Sequence, residues 1–358
     1  MGCCTNNSSS QNADANLQSM YDLPTSIKEI AMIVKIQARF RGVLARRRVK
    51  DLTGYAFTGG MAGRNNNVVI HMDPVLLDLQ RQRVQEIRES LPEFQYVQDG
   101  EEAEGDRTPR EYRQRIVLPD GEQYEGQWNL ETNQRDGKGY QIWSDGSIYE
   151  GFWFEDKANG RGRLIHADGD IYDGMWKDDK AHGFGIYIHN DGARYEGMWE
   201  NDSQHGLGNE NWPDGASYNG DYKVGKKDGY GVFLWGDNSR YDGYFKENNI
   251  HGEGTYIWSD QRQYTGDWEN NKMHGRGVFK WDDGRQYEGE YLNDKKEGKG
   301  VFTWPDGRRY DGQWKNGKQE GPGIYTNARD DSKFGVWANG KRVTWINEQE
   351  FAERIRQF

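Results

Sequence analysis

Tyr172-Asp173-Gly174-Met175-Trp176, then Gly183-Phe184-Gly185-Ile186-Tyr187-Ile188-His189, then Asp191-Gly192 decide the reading of this chain. The first five residues alternate, so Tyr172, Gly174 and Trp176 fall on one face of a strand. In the second run Gly183, Gly185, Tyr187 and His189 share a face in the same way. Lys177–His182, polar at its centre, connects the two runs. Asp191-Gly192 is a tight-turn dipeptide that leads into the next unit. The unit is therefore a β-hairpin whose one face alternates large rings with glycine gaps. Rings from neighbouring strands are expected to lie over those gaps, where no Cβ stands in the way, and aromatic pairs to supply most of the burial.

Outward from this stretch the pattern recurs. Its leading tyrosine stands at 124, 149, 172, 195, 218, 241, 264, 287 and 310, a first spacing of 25 and then a constant 23. A degenerate tenth unit opens at Phe334-Gly335-Val336-Trp337. A strict period this short means stacked units, each too small to bury a core alone. The predicted fold is all-β, an elongated antiparallel ribbon of about twenty strands, roughly 95 Å along its axis at ~4.8 Å per strand. The first unit carries two extra residues between Trp128 and Gly137 and is expected to have a longer loop. Composition agrees: 34% hydrophobic residues but 13% aromatic, with 47 glycines, which suits strands and tight turns better than a helical bundle.

Tyr-Glu-Gly-x-Trp, His-Gly-x-Gly and Asp-Gly, recurring nine times in phase, resemble the MORN (membrane occupation and recognition nexus) repeat over about two thirds of the chain. Tyr222, Phe245 and Tyr291 stand where the pattern has Trp, and Asp260-Gln261 replaces Asp-Gly. The resemblance implies a meandering β-sheet used in scaffolding, membrane apposition, cilia and cytoskeleton, or in regulating an attached catalytic domain. Tyr172, Gly174, Trp176, Gly183, Gly185, Asp191 and Gly192 are the structural residues of one unit.

The flanking segments divide as follows. Residues 1–25 read as a disordered, acylated N-terminus, 26–50 as a basic helix and 51–72 as a Gly/Asn-rich linker. Residues 73–91 read as an amphipathic helix with Asp73 as N-cap, Pro74 at its first position and Leu76, Leu77, Val84, Ile87 and Leu91 as its stripe. Residues 92–115 read as an acidic linker, 116–346 as the array and 347–358 as a C-terminal capping helix. Open arrays need protection at their last edges, and the two flanking helices are candidates for it.

No apolar run approaches the length of a membrane span, and the first 20 residues are too polar for a secretory leader. The only cysteines, Cys3 and Cys4, are adjacent and cannot staple a fold, which fits the cytosol. Net charge is −11, unevenly spread: residues 1–60 carry 8 Lys+Arg against 4 Asp+Glu, and residues 116–358 are net −12. An array this acidic is not expected to bind anionic lipid or nucleic acid, and Lys226-Lys227, Lys295-Lys296 and Arg308-Arg309 are each flanked by Asp or Glu. His182, His205, His251 and His274 recur at one repeat position and are read as period markers, as are Glu125, Glu150, Glu196 and Glu288. No nucleophile, base and orienter can be placed together, so no catalytic residue, metal ligand or cofactor is assigned.

The N-terminus is more specific. Ile36, Gln37, Arg41, Gly42 and Arg46 match the IQ motif, which resembles binding sites for calmodulin and related EF-hand light chains. Independently, Ile30, Ile33, Val34, Ile36, Phe40, Val43 and Leu44 form the apolar face of a basic helix, suited to a Met-rich groove on an acidic partner. Met1-Gly2-Cys3-Cys4 resembles a dual-acylation start, with myristate on Gly2 and palmitate on Cys3 and Cys4, though Asn6 stands where Ser or Thr is usual. The expectation is a non-catalytic scaffold on the cytoplasmic face of a membrane, with calmodulin or a light chain on the IQ helix and protein partners on the array. The alternatives are an axonemal or cytoskeletal component resembling radial-spoke heads, and a regulator of a separate enzyme subunit.

Overall fold

The computed structural model describes residues 74–96, 108–119 and 121–357. The chain divides into two units, Met1–Val69 and Ile70–Phe358, and every described residue lies in the second. Among the described residues, 21 strands form one antiparallel sheet, β1 (Arg110–Val117) to β21 (Lys341–Trp345). It is a meander: each strand pairs with its neighbours in sequence.

Two kinds of turn alternate. In β6 (Ile171–Lys177) and β7 (Lys180–Ile188) the strands are joined by Asp178-Asp179, with φ of 48° and 62°. Two positive φ values make this the two-residue turn whose twist matches that of the strands. Asp and Asn tolerate it, so the second strand starts at Lys180, earlier than the polar connection Lys177–His182 suggests. The turn to β8 (Arg194–Glu200) is the expected Asp-Gly: Gly192 has φ +95°, its N–H donates to His189 O at 2.9 Å, and Asp191 Oδ1 accepts from Ala193 N at 3.0 Å. The longer loop of the first unit is also present, organised by Asn129 Oδ1, which accepts from Glu131 N and Thr132 N at 2.8 and 3.2 Å.

Successive hairpins are clasped by a device the period alone does not reveal. Asp179 Oδ1 accepts from Ala158 N at 2.7 Å while Asp179 N donates to Ala158 O at 3.0 Å. Asp202 repeats this on Ala181, Asn248 on Lys227, Asn271 on Ile250 and Asp294 on Met273. Each clasp satisfies two backbone groups at the strand start of the preceding hairpin. Where Gly225 and Gly317 occupy the position, the backbone bond to Gln204 O or Lys296 O remains and no side chain is there to accept.

The sheet has an aromatic face, carrying the motif tyrosines, and an opposite face. α1 (Pro74–Ser90) lies on the opposite face, where Val84, 0% exposed, packs with Ile148, Ile165 and Ile171, and Ile87, Leu91, Ile142 and Ile188 join them. Only the C-terminal part of its stripe is used; Val75, Leu76 and Leu79 are exposed. α2 (Glu348–Ile355), capped by Asn347, rests its Phe351 ring on Phe334 of the same face, 4.7 Å between centroids. The expected edge protection is therefore not what the helices supply. Both cover a face, and among the described residues β1 and β21 are each paired on one side only, with every residue of β21 exposed. β1 itself begins inside the segment read as linker. It lacks the motif and is mostly exposed, so no period marks it.

Candidate functional site

Each motif tyrosine is at most 3% exposed, and its hydroxyl donates to the backbone carbonyl three residues on, at 2.9–3.1 Å in all nine repeats. The ring lies over a cross-strand glycine pair. Gly174 faces Gly185, and a Cβ on Gly174 would stand 2.5 Å from Gly185 Cα and 2.6 Å from the Tyr172 hydroxyl. Tyr172 meets Trp176 edge-on at 5.0 Å and Trp199 of the next repeat at 5.3 Å. Trp199 Nε1 reaches back to Gly185 O at 3.1 Å. Gly183 faces Trp199. Thus Tyr172, Gly174, Trp176, Gly183 and Gly185 are brought together while Asp191 and Gly192 form the turn, and the Tyr172–Trp199 pair links one repeat to the next for about 0.5–1.5 kcal/mol beyond its buried area.

A second ring ladder runs along the Asp-Gly end of the same face. Trp212, Phe233, Trp235, Tyr256, Trp258, Phe279, Trp281, Phe302 and Trp304 follow one another at centroid distances of 4.4–5.5 Å. Arg262, Arg285 and Arg308 lie over Trp258, Trp281 and Trp304 and bond Asp260, Asp283 and Asp306 at 2.7 Å. Burial raises the hydroxyls of Tyr172, Tyr218 and Tyr287 far above the usual phenol range, so they stay neutral donors.

The family model of the MORN repeat matches residues 124–148, 149–171, 172–194, 195–217, 218–240, 241–261, 264–284, 287–308 and 310–331, more than half of the chain. The chain belongs to the MORN-repeat family. No curated protein matches it. Among solved structures, the MORN array is similar to the G-box domain of the microcephaly protein CPAP at 10% identity, over 64% of this chain and 100% of that one, with a TM-score of 0.28. For a mutant TCP10 domain of Danio rerio CPAP the values are 11%, 66%, 99% and 0.24. For the SAS-4 TCP domain of Drosophila melanogaster, in complex with a proline-rich motif of Ana2, they are 14%, 63%, 99% and 0.21.

The other predicted positions separate clearly. Gly2, Cys3, Cys4, Ile36, Gln37, Arg41, Gly42 and Arg46 lie outside the described residues. Of the recurrent histidines, His205 and His274 sit 3.3 and 3.4 Å from Glu200 and Glu269 across their own turns. No group of three or more metal-ligating side chains exists among the described residues. Glu150 is buried between Arg88 of α1 and Arg163, at 3.3 and 3.4 Å, and so ties the helix to the MORN array.

Two positions read as basic surface spots are not that. Lys227 is 1% exposed; its Nζ donates to Glu210 at 2.9 Å, and Glu210 also accepts from the Tyr222 hydroxyl at 2.7 Å. Lys296 is half-buried, its Nζ 4.7–5.0 Å from the centroids of Trp281, Tyr287, Phe302 and Trp314. Burial, with Arg285 adding to it, lowers Lys296 to about 7. A signal was available: both lysines lie five residues after a Tyr that replaces Trp. Finally, between the helices no described residue covers the opposite face, and Phe184, Met198, Leu207, Tyr230 and Tyr244 stand on it 43–68% exposed.

Proposed function

We propose that this MORN protein is a non-catalytic scaffold whose array holds partners while its N-terminal segment decides where and when. A repeat array of this kind fits a scaffold or adaptor. One observation carries the reading: the residues that recur in every repeat are consumed by packing and by bonds within the chain, while the variable opposite face is left open along its middle. The motif thus supplies a beam, and the side chains that differ between repeats supply selectivity.

In this reading Gly2, Cys3 and Cys4 carry acyl chains, and two anchors give stable attachment where one would not. The basic helix from Lys28 to Lys50 lies on an anionic leaflet until calmodulin or a related EF-hand protein takes its apolar face, an electrostatic switch. Fractionation tests the anchoring half. The wild-type protein partitions into membranes and is released by detergent, and Cys3→Ser/Cys4→Ser becomes soluble. A variant that stays in the membrane fraction contradicts the anchor. A wild-type protein that resists detergent extraction supports the axonemal or cytoskeletal alternative.

A further inference from the structure

Two repeats separated by three periods carry the same departure from the motif. Tyr222 faces Lys227, and Tyr291 faces Lys296, where other repeats pair Trp153 with Ala158 or Trp268 with Met273. In the first of the two, a carboxylate completes the group. Glu210, Tyr222 and Lys227 are all buried and bond one another through Glu210 Oε2. In the second, the position of Glu210 is held by Phe279. Among the described residues no carboxylate lies within ion-pair distance of Lys296 Nζ, and the Tyr291 hydroxyl, on a side chain 5% exposed, has no hydrogen-bond partner.

We propose that Lys296 and Tyr291 form a carboxylate-binding subsite on the aromatic face, filled by an acidic side chain of a peptide lying across Trp258, Trp281 and Trp304. An ammonium held among four rings is attracted by their faces but has no counter-charge. A buried phenol without a partner costs free energy that a bound oxygen recovers. The arriving carboxylate supplies both, in the arrangement the chain builds for itself around Glu210. Lys296 is half-buried and within reach of a ligand, whereas the Tyr291 hydroxyl is fully buried and is reached only as the side chains beside it give way; the low-lying ammonium is what an unmatched cation in this setting should show. The half-buried Trp258, Trp281 and Trp304 offer apolar ring surface on either side. The subsite gives the scaffold reading a partner chemistry and does not depend on acylation or calmodulin.

The test uses the full chain with isotope-labelled lysine, following the Lys296 Cε resonance, assigned by its loss in Lys296→Met. The probes are a blocked glutamyl tripeptide, its glutaminyl counterpart and free glutarate. The glutamyl peptide should raise the Lys296 midpoint by at least about one pH unit, a tenfold preference for the ammonium, and the glutaminyl peptide should not. Tyr291→Phe should weaken the response about fivefold. Phe279→Glu should raise the midpoint with no ligand and abolish the response. A response to glutarate equal to or larger than that to the peptide overturns the peptide source and keeps the carboxylate class. No response to either carboxylate, or an equal response to the glutaminyl peptide, overturns the subsite. These outcomes are independent of the fractionation result.

Discussion

The two faces of the sheet obey different rules. On the aromatic face Tyr218 and Tyr241 make the same bond to their own backbone and meet their neighbours at nearly the same angles, one repeat after another. On the opposite face Tyr230 pairs with Tyr244 in one place, where the equivalent pairs are Phe184 with Met198 and Arg276 with Glu290. A face that must pass packing from repeat to repeat cannot vary; a face that meets only helices or solvent can. In the proposed scaffold, selectivity would come from the variable face and the few departures on the constant one.

The largest way to break this contrast is at the glycine pair. Gly174→Val puts its side chain into the Gly185 backbone and the Tyr172 ring, and should cost about 3–5 kcal/mol in denaturant unfolding. Gly192→Ala, at φ +95° with only Pro213 near, should cost about 1 kcal/mol. Tyrosine truncation compares the faces directly: Tyr218→Ala, from 0% exposure, should lose about 3–5 kcal/mol, and Tyr230→Ala, from 48%, about 0.5 or less. Equal losses at the two positions would show that the open face is part of the core.

The two lysines sharpen the contrast further. Lys227→Met strands Glu210 in the interior and should destabilise by about 3 kcal/mol. Lys296→Met should stabilise by ~1–2 kcal/mol at pH 6, because it removes an unmatched buried cation. The sign follows from a folded-state value of about 7 below the ordinary 10.5. Between those values the unfolded chain binds the extra proton, so stability rises with pH from about 7 to 10 and is lowest below 7. Lys296→Met should flatten that rise in a series of unfolding curves. A smaller change is at Val224, a β-branched residue at φ 50° in a two-residue turn. Val224→Asn should raise stability by about 1 kcal/mol.

The hairpin and its face alternation were legible because one pattern states them nine times, and its Asp-Gly turn because that dipeptide closes six of the repeats, from Asp145-Gly146 to Asp306-Gly307. Alternation placed Tyr172, Gly174 and Trp176 on one face, and they lie there. The clasps by Asp179 and Asp202 were not legible, since a polar turn residue looks solvated until the neighbouring hairpin is in place. Lys227 and Lys296 looked like surface charges because each follows another lysine. Yet strand alternation sends one of two neighbours inward, and the motif's Trp-to-Tyr changes at 222 and 291 marked which repeats had made room. The placement of α1 on a face rather than an edge depends on Val84 meeting Ile148, Ile165 and Ile171, contacts between segments that carry no shared pattern.

In the proposed division of labour the array builds and the N-terminal segment recruits, and calorimetric titration of calmodulin into the full chain tests that division most directly. The prediction is one calmodulin bound per chain, abolished by Ile36→Ala/Arg41→Ala, with unfolding of the array unchanged in the variant. Equal binding by the variant, or no binding by the wild-type chain, would contradict it.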